Sequence, residues 1–163
     1  MARALIVGCG CRGREVGSEL LQRGWQVRGT SREESGLEAI EQAGIEPALA
    51  DPDRPGTILD LVGDVAVVVW LLGVAEAEPE VIAAIHGPRL ESLMEKLVDT
   101  PVRGFAYEAV GSVQSTRLEQ GREIVQRAGD TWRIPVTFLE SQRGSTGWAG
   151  ETADALDGLL GPR

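Results

Sequence analysis

The sequence of 163 residues has few of the side chains on which enzymes most often depend. It contains one lysine, Lys96, one tyrosine, Tyr107, and one histidine, His86. Aromatic residues make up only 4% of the chain. Any reaction that requires one of these three residue types must therefore use a single, identifiable position.

Cysteine is equally scarce, because only Cys9 and Cys11 occur, separated by Gly10. The two residues are too close in sequence for an ordinary structural disulfide, and this fits a reducing compartment. A Cys-x-Cys pair alone also lacks the further ligands that a zinc site needs. No metal site is predicted.

Long apolar runs and excess positive charge are absent as well. The longest apolar run, residues 65–72, has the length of a strand, as does the run 4–7 near the N-terminus. The sequence thus predicts neither a signal peptide nor a membrane span, and we expect a cytoplasmic protein with no membrane partner. The formal net charge of −9 argues against nucleic-acid binding, which requires clustered positive charge.

Apolar runs alternate with helical patterns along the whole chain. Strands are predicted at residues 4–7, 25–30, 45–50, 65–72, 102–108 and 135–140. Helices are predicted at residues 13–23, 35–43, 57–62, 79–98 with a break at Gly87-Pro88, 116–128 and 151–160. Ser35 with Glu38, and Thr116 with Glu119, have the spacing of capping boxes. This alternation predicts an α/β fold, a Rossmann-like doubly wound parallel sheet of about six strands in one domain, residues 1–163.

The first predicted strand leads into a glycine-rich loop with the pattern G-x-G-x-x-G. The first glycine allows a tight turn, the second lets the main chain approach a pyrophosphate, and the third lets the following helix pack closely. The helix N-terminus then presents free N–H groups to the phosphates. The candidate cofactor contacts in this loop are Gly8, Cys9, Gly10, Cys11, Arg12 and Gly13. The alternative is a turn of the same shape that binds no ligand.

The end of the second predicted strand indicates which dinucleotide is bound. A site for NAD places an acidic residue here, to bond the ribose 2′-hydroxyl. This chain has Thr30, Ser31 and Arg32 instead, and a guanidinium suits a 2′-phosphate. We therefore predict NADP as the cofactor. Glu33 and Glu34 follow directly and keep NAD as the alternative.

The segment LIVGCGCRGREVGSELLQRGWQVRGTSR, residues 5–32, resembles the N-terminal half of atypical and extended short-chain dehydrogenase/reductases. That group includes epimerase-like and NmrA-like proteins. The resemblance implies an NAD(P)-binding Rossmann domain. It also implies that Asp51 lies near the adenine, and that Gly73 and Val74 form the small-residue turn beside the cofactor ribose.

The chain departs from this family in two respects. The family's catalytic Tyr-x-x-x-Lys is absent, because Gly111 stands four residues after Tyr107 and Lys96 lies upstream. The chain also ends where extended members begin their substrate-binding part, so the resemblance is to a short form without that part.

Three residues at and after the fifth predicted strand are the candidates for a substrate-facing catalytic cluster, since ligands of doubly wound sheets lie at the carboxyl ends of strands. They are Tyr107, Glu108 and Ser112. The alternative is that Tyr107 packs at the strand edge and Ser112 occupies an ordinary turn.

Two functions are compatible with these features. The first is an NADP-dependent oxidoreductase or epimerase-like enzyme that acts on an unknown small molecule and uses an unusual acid such as Tyr107. A homodimer could then supply the missing wall of the site. The second is a noncatalytic module that senses NADP(H) and acts on a protein partner.

Overall fold

Six parallel strands form the centre of the molecule in a computed structural model, which describes residues 2–161. They are β1 (Arg3–Val7), β2 (Gln26–Ser31), β3 (Glu46–Leu49), β4 (Val67–Trp70), β5 (Gly104–Glu108) and β6 (Val136–Leu139). Their order in the sheet is β3-β2-β1-β4-β5-β6. The predicted single-domain, doubly wound parallel sheet is confirmed. The predicted domain, 1–163, also includes Met1, Pro162 and Arg163, which lie outside the described residues.

Helices connect the strands and cover both faces of the sheet. They are α1 (Cys11–Gln22), α2 (Leu37–Gln42), α3 (Pro55–Leu59), α4 (Pro79–Ile85), α5 (Pro88–Leu97), α6 (Ser115–Trp132) and α7 (Trp148–Leu159). The predicted break at Gly87-Pro88 is confirmed, because α4 ends before it and Pro88 opens α5. No helix within residues 2–161 is both long enough and apolar enough to cross a bilayer.

Alternate residues of β1 build two separate hydrophobic cores. Leu5 and Val7 face the layer formed by α3, α4, α5 and α6, whereas Ala4 and Ile6 face the layer formed by α1, α2 and α7. All four side chains are fully buried. A strand buried on both faces in this way is typical of the middle of a parallel sheet.

Both predicted capping boxes are wrong. Ser35 lies inside a short 3₁₀ helix (Glu34–Gly36). Helix α2 therefore starts at Leu37, with Gly36 in the capping position. Helix α6 starts at Ser115, which places Thr116 inside its first turn. In each case the helix begins at a position that the side-chain spacing alone did not identify.

Two further boundaries matter for the site. Helix α1 begins at Cys11, two residues earlier than predicted, so that the first turn contains Cys11, Arg12 and Gly13. Strand β4 ends at Trp70, and Leu71 and Leu72 extend beyond it at the carboxyl edge of the sheet.

Candidate functional site

The strand order reverses between β1 and β4, and the loops that follow these strands diverge there. Such a switch point is where doubly wound sheets bind their ligands. A cavity of about 290 Å³ opens at this position. It is lined by Gly8, Cys9, Gly10, Arg14, Thr30, Ser31, Arg32, Gly36, Pro52, Leu71, Leu72, Val74, Ala75, Glu76, Ala77, Val81, Ile85 and Arg143.

Gly8 makes the turn from β1 into the loop. Its φ is 89°, and a Cβ there would lie 2.6 Å from the carbonyl oxygen of Leu71. Gly13 packs against the same turn, since its Cβ would lie 3.1 Å from the carbonyl oxygen of Gly8. These two glycines therefore serve the fold of the loop directly, by allowing the turn and the close approach of α1.

Gly10 differs from both, because neither its packing nor its backbone requires glycine. A Cβ there would meet no heavy atom within 4 Å, and φ is −81°. Gly10 lines the cavity and occupies the N-cap position of α1, which no side chain of the described residues caps. The N–H groups of the first turn thus lie at a bare stretch of main chain beside the cavity. Free N–H groups at a helix N-terminus form the kind of surface on which an anionic phosphate binds.

Thr30 holds the glycine loop against β2. Its hydroxyl accepts a hydrogen bond from the N–H of Gly8 at 3.3 Å, and its carbonyl accepts one from the N–H of Cys9 at 3.0 Å. Burial raises the pKa of the Cys9 thiol to about 12, so this side chain stays protonated and packs in the core. Cys11 is exposed and does not line the cavity.

Positive charge surrounds the cavity. Arg14, Arg32 and Arg143 line it, and Glu76 is the one acidic residue among the lining residues given above. Arg32 is exposed, and within residues 2–161 its side chain reaches only the carbonyl oxygen of Glu76, at 3.5 Å. Arg12, predicted to contact the cofactor, instead pairs with Glu15 at 2.7 Å and does not line the cavity.

Ser31 lines the cavity, but its hydroxyl is engaged within its own turn. It donates to the carbonyl oxygen of Glu33 at 2.8 Å and accepts from the N–H of Glu33 at 3.2 Å. Asp51 is likewise used locally, because its carboxylate accepts from the N–H of Asp53 at 2.9 Å. The neighbouring Pro52, rather than Asp51, contributes to the cavity wall.

The turn after β4 was predicted to lie beside the cofactor, and its two residues have different roles. Val74 lines the cavity. Gly73 lies behind the wall, where its N–H donates to the Glu108 carboxylate at 2.7 Å. A Cβ at Gly73 would overlap the carbonyl oxygen of Val110, and a Cβ at Gly111 would overlap that of Gly73. The loops after β4 and β5 are therefore in direct backbone contact.

Glu108 forms a buried ion pair with Arg143. Nε of Arg143 donates to Oε2 at 2.8 Å, and Nη2 donates to Oε1 at 2.8 Å and to the carbonyl oxygen of Leu71 at 2.9 Å. The side chain of Glu108 is 1% exposed and that of Arg143 is 17% exposed. Glu108 was predicted from the sequence as a site residue, whereas Arg143, 35 residues away, was not. The sequence did contain a signal for such a partner. Glu108 is an acidic residue at the end of a buried strand, and a buried carboxylate needs a cationic partner.

Tyr107 is buried in the core beneath α3, α4, α5 and α6 and does not line the cavity. Its hydroxyl is 2.6 Å from Nδ1 of His86, and Nε2 of His86 is 3.1 Å from the carbonyl oxygen of Leu72. Because a carbonyl only accepts, Nε2 carries the proton, and the tyrosine hydroxyl donates to Nδ1. Burial lowers the pKa of His86 and raises that of Tyr107, so both are neutral. His86 and Tyr107 are fully buried.

The three candidate catalytic residues are therefore not brought together. Tyr107 and Glu108 are consecutive in β5 and point to opposite faces, as neighbours in a strand must. Ser112 is exposed and, like the other two, does not line the cavity. Within residues 2–161, no group of three histidine, cysteine, aspartate or glutamate side chains is placed to hold a metal ion.

No protein-family model matches the sequence, and no curated protein matches it either. The structure, in contrast, is similar to many solved structures. Triphenylmethane reductase of Citrobacter sp., complexed with NADP(H), has a TM-score of 0.65 and 19% identity over 95% of this chain and 55% of its own. UDP-glucuronic acid 4-epimerase from Bacillus cereus, in complex with NAD, has a TM-score of 0.66 and 14% identity over 85% of this chain and 55% of its own.

Vestitone reductase from alfalfa has a TM-score of 0.62 and 16% identity over 85% of this chain and 56% of its own. This chain shares their fold. The predicted resemblance to reductases and epimerases is confirmed at that level. The chain spans about half the length of these proteins.

Proposed function

We propose that this chain binds a nicotinamide dinucleotide in the cavity at the switch point, with NADP(H) preferred over NAD(H). The observation that carries the proposal is that Gly10 lines the cavity at the N-terminus of α1, where no side chain of the described residues covers the main chain. Two proteins of the same fold are complexed with NADP(H) and with NAD, and this supports a nicotinamide cofactor here.

The first turn of α1 would hold the pyrophosphate. The N–H groups of Cys11, Arg12 and Gly13 have no partner within the helix, and the helix dipole is positive at this end. Arg14 lines the cavity close to this turn and adds a full positive charge. When bound, the nicotinamide ring would supply hydride chemistry, whereas these protein groups only bind and orient.

Arg32 would select NADP(H) through the adenosine 2′-phosphate. Its side chain is exposed at the cavity and makes a single long hydrogen bond among the described residues, so it can turn towards a ligand. Glu33 and Glu34, the residues that favour NAD, are not among the lining residues. A planar guanidinium pairs with phosphate oxygens through two hydrogen bonds, which gives both affinity and geometric selectivity.

The experiment is a measurement of thermal stabilisation and of Kd with NAD, NADH, NADP and NADPH, since a ligand that binds only the folded state raises the Tm. Arg32→Ala should weaken NADP binding by about ten- to one-hundred-fold, the loss expected for a charge-assisted contact, and change NAD binding much less. Arg127→Ala, which removes an exposed arginine of α6, is the matched control. Equal losses for NADP and NAD would contradict the assignment of Arg32.

A noncatalytic role is favoured over hydride transfer by the position of Tyr107. A reductase needs a proton donor beside the reacting atoms, and the Tyr107 hydroxyl is instead bound to the buried His86, with neither residue lining the cavity. The chain would then report cofactor occupancy to a protein partner. Tight cofactor binding without turnover on a panel of carbonyl substrates is expected. Turnover that Tyr107→Phe abolishes would contradict this role and support an oxidoreductase.

A further inference from the structure

The cavity lies at the carboxyl ends of β1 to β4 and stops short of β5. In a sheet of this order each half, β1–β3 and β4–β6, takes one nucleotide of a dinucleotide, and the adenosine lies over the first half. The lining residues come from the segments that follow β1, β2, β3 and β4, together with Arg143. Among the described residues, none from β5 or from its following loop lines the cavity.

The buried ion pair fills the place above β5. Arg143 follows β6, Glu108 ends β5 and Leu71 follows β4, so their hydrogen bonds cross the ends of three adjacent strands. Glu108 is 1% exposed and also accepts from the N–H of Gly73. A group that entered this space would have to displace Arg143 and leave a buried carboxylate without its partner.

The backbone closes the same region from the side of α4. Gly73 and Gly111 are in contact, and the N–H of Val113 donates to the carbonyl oxygen of Gly73 at 2.9 Å. Because these are main-chain contacts, they do not open by rotation of a side chain. The loops after β4 and β5 therefore leave no channel between them.

We infer that the cleft recognises the 2′-phosphorylated adenosine diphosphate half of its ligand, and that the chain's own Glu108–Arg143 pair fills the position of the second nucleotide. This inference rests on the proposed function and specifies which part of the cofactor is bound. The cavity volume of about 290 Å³ agrees with it, since a site that encloses an entire large ligand reaches several hundred Å³. A site of this kind does not distinguish NADP+ from NADPH.

Titration calorimetry of the wild-type chain with NADP+, NADPH, adenosine 2′,5′-bisphosphate and nicotinamide mononucleotide tests the inference. NADP+ and NADPH should bind with Kd values within about three-fold of each other, and the bisphosphate, which lacks the second phosphate of the diphosphate, within about ten-fold of them. The mononucleotide should not bind. The inference is overturned if the bisphosphate binds more than about thirty-fold more weakly than NADP+, or if the two oxidation states differ by more than about ten-fold.

These outcomes also separate the inference from the proposed function. If NADP+ binds tightly but the bisphosphate does not, the cofactor proposal survives and the inference fails. If the bisphosphate binds and NADP+ does not, the assignment of the cleft to the adenosine half survives, but the proposed cofactor and the expected similar affinities are wrong. If no adenosine ligand binds, both are contradicted.

Removal of the ion pair provides a second test. The double variant Glu108→Ala, Arg143→Ala leaves no unpaired buried charge and removes both side chains from the second position. It should bind NADP+ or NADPH at least about ten-fold more tightly than the wild type does, with its affinity for the bisphosphate within about three-fold of the wild-type value. Arg127→Ala is the control. If the double variant does not fold, NMR saturation transfer on the wild type decides. Adenine protons should be saturated strongly and nicotinamide protons weakly, and the reverse would overturn the inference.

Discussion

The hydroxyl of Tyr107 and Nδ1 of His86 lie 2.6 Å apart, in the layer of the molecule opposite the glycine loop. This hydrogen bond gives the only tyrosine and the only histidine of the chain a shared structural task. His86 in turn holds the carbonyl of Leu72, a residue of the cavity wall, at 3.1 Å. The pair therefore supports a residue of the cavity wall without itself lining the cavity.

Tyr107→Phe should destabilise the fold and leave cofactor binding unchanged. Loss of the hydroxyl leaves Nδ1 of His86 as a buried acceptor without a donor, which costs about 1–3 kcal/mol. The free energy of unfolding in urea measures the loss, and calorimetry with NADP measures the affinity. Phe138→Leu, a change at a half-buried ring that contacts the same tyrosine, is the packing control. A large loss of NADP affinity in Tyr107→Phe would show that this residue acts on the ligand.

His86 should make the stability depend on pH in a range where no other side chain of ordinary pKa titrates. Burial lowers its pKa below the ordinary 6.5, so the unfolded chain binds a proton that the folded chain does not. Stability is then fully present above about pH 6.5 and falls as the pH drops towards the folded-state pKa, by up to about 1.4 kcal/mol per pH unit.

The free energy of unfolding between about pH 5 and pH 7.5 checks this, because carboxylates of ordinary pKa titrate lower. His86→Gln can still donate to the Leu72 carbonyl and does not titrate, so its stability should be flat over the same range. The origin assigned to the pH dependence is wrong if His86→Gln keeps the wild-type slope.

Alanine substitutions at two glycines of the loop should separate effects on stability from effects on cofactor affinity. Gly10→Ala meets no protein atom and should leave the Tm within about 2 °C of the wild type, while NADP affinity falls at least about ten-fold. Gly8→Ala should unfold at a clearly lower temperature, because its φ is 89° and its Cβ would approach the Leu71 carbonyl. Gly63→Ala, exposed and remote from the cavity, should change neither quantity. Unchanged NADP affinity in Gly10→Ala would contradict the proposed binding site of the pyrophosphate.

The two thiols should react at very different rates. Cys11 is exposed, whereas Cys9 is buried with its pKa raised to about 12, and the thiolate is the reactive form. Titration of the native chain with a disulfide reagent at neutral pH should modify one cysteine rapidly and the second only after unfolding. Saturating NADP should slow the first reaction, because Cys11 opens the helix that would hold the pyrophosphate. Cys11→Ser provides the control, and equal rates for both thiols would refute the difference in environment.

Much of the fold and the cofactor side of the site could be predicted because the signals are local. The apolar runs mark the strands, and G-x-G-x-x-G after the first strand marks the loop whose Gly8 and Gly10 line the cavity. Thr30, Ser31 and Arg32 were located from their distance along the chain beyond that loop, and all three line the cavity.

The remaining features of the site, the partner of Glu108 and the orientation of Tyr107, depend on contacts between residues that are distant in the sequence. Arg143 could not be identified from its own surroundings, a polar loop after β6, because only the fold brings it to Glu108. Tyr107 was placed correctly at the end of a strand. Which face it points to depends on the register of β5, and that one-residue difference separates a ligand-facing hydroxyl from a buried one.

Gly111 stands where the motif Tyr-x-x-x-Lys would require a lysine, four positions after Tyr107. Its φ of 148° and the neighbouring Gly73 carbonyl leave no space for any side chain. No single point mutation can therefore restore that motif in this scaffold. An engineer who wished to install a tyrosine–lysine pair would have to redesign the β5–α6 loop as a whole, or introduce the pair from another strand.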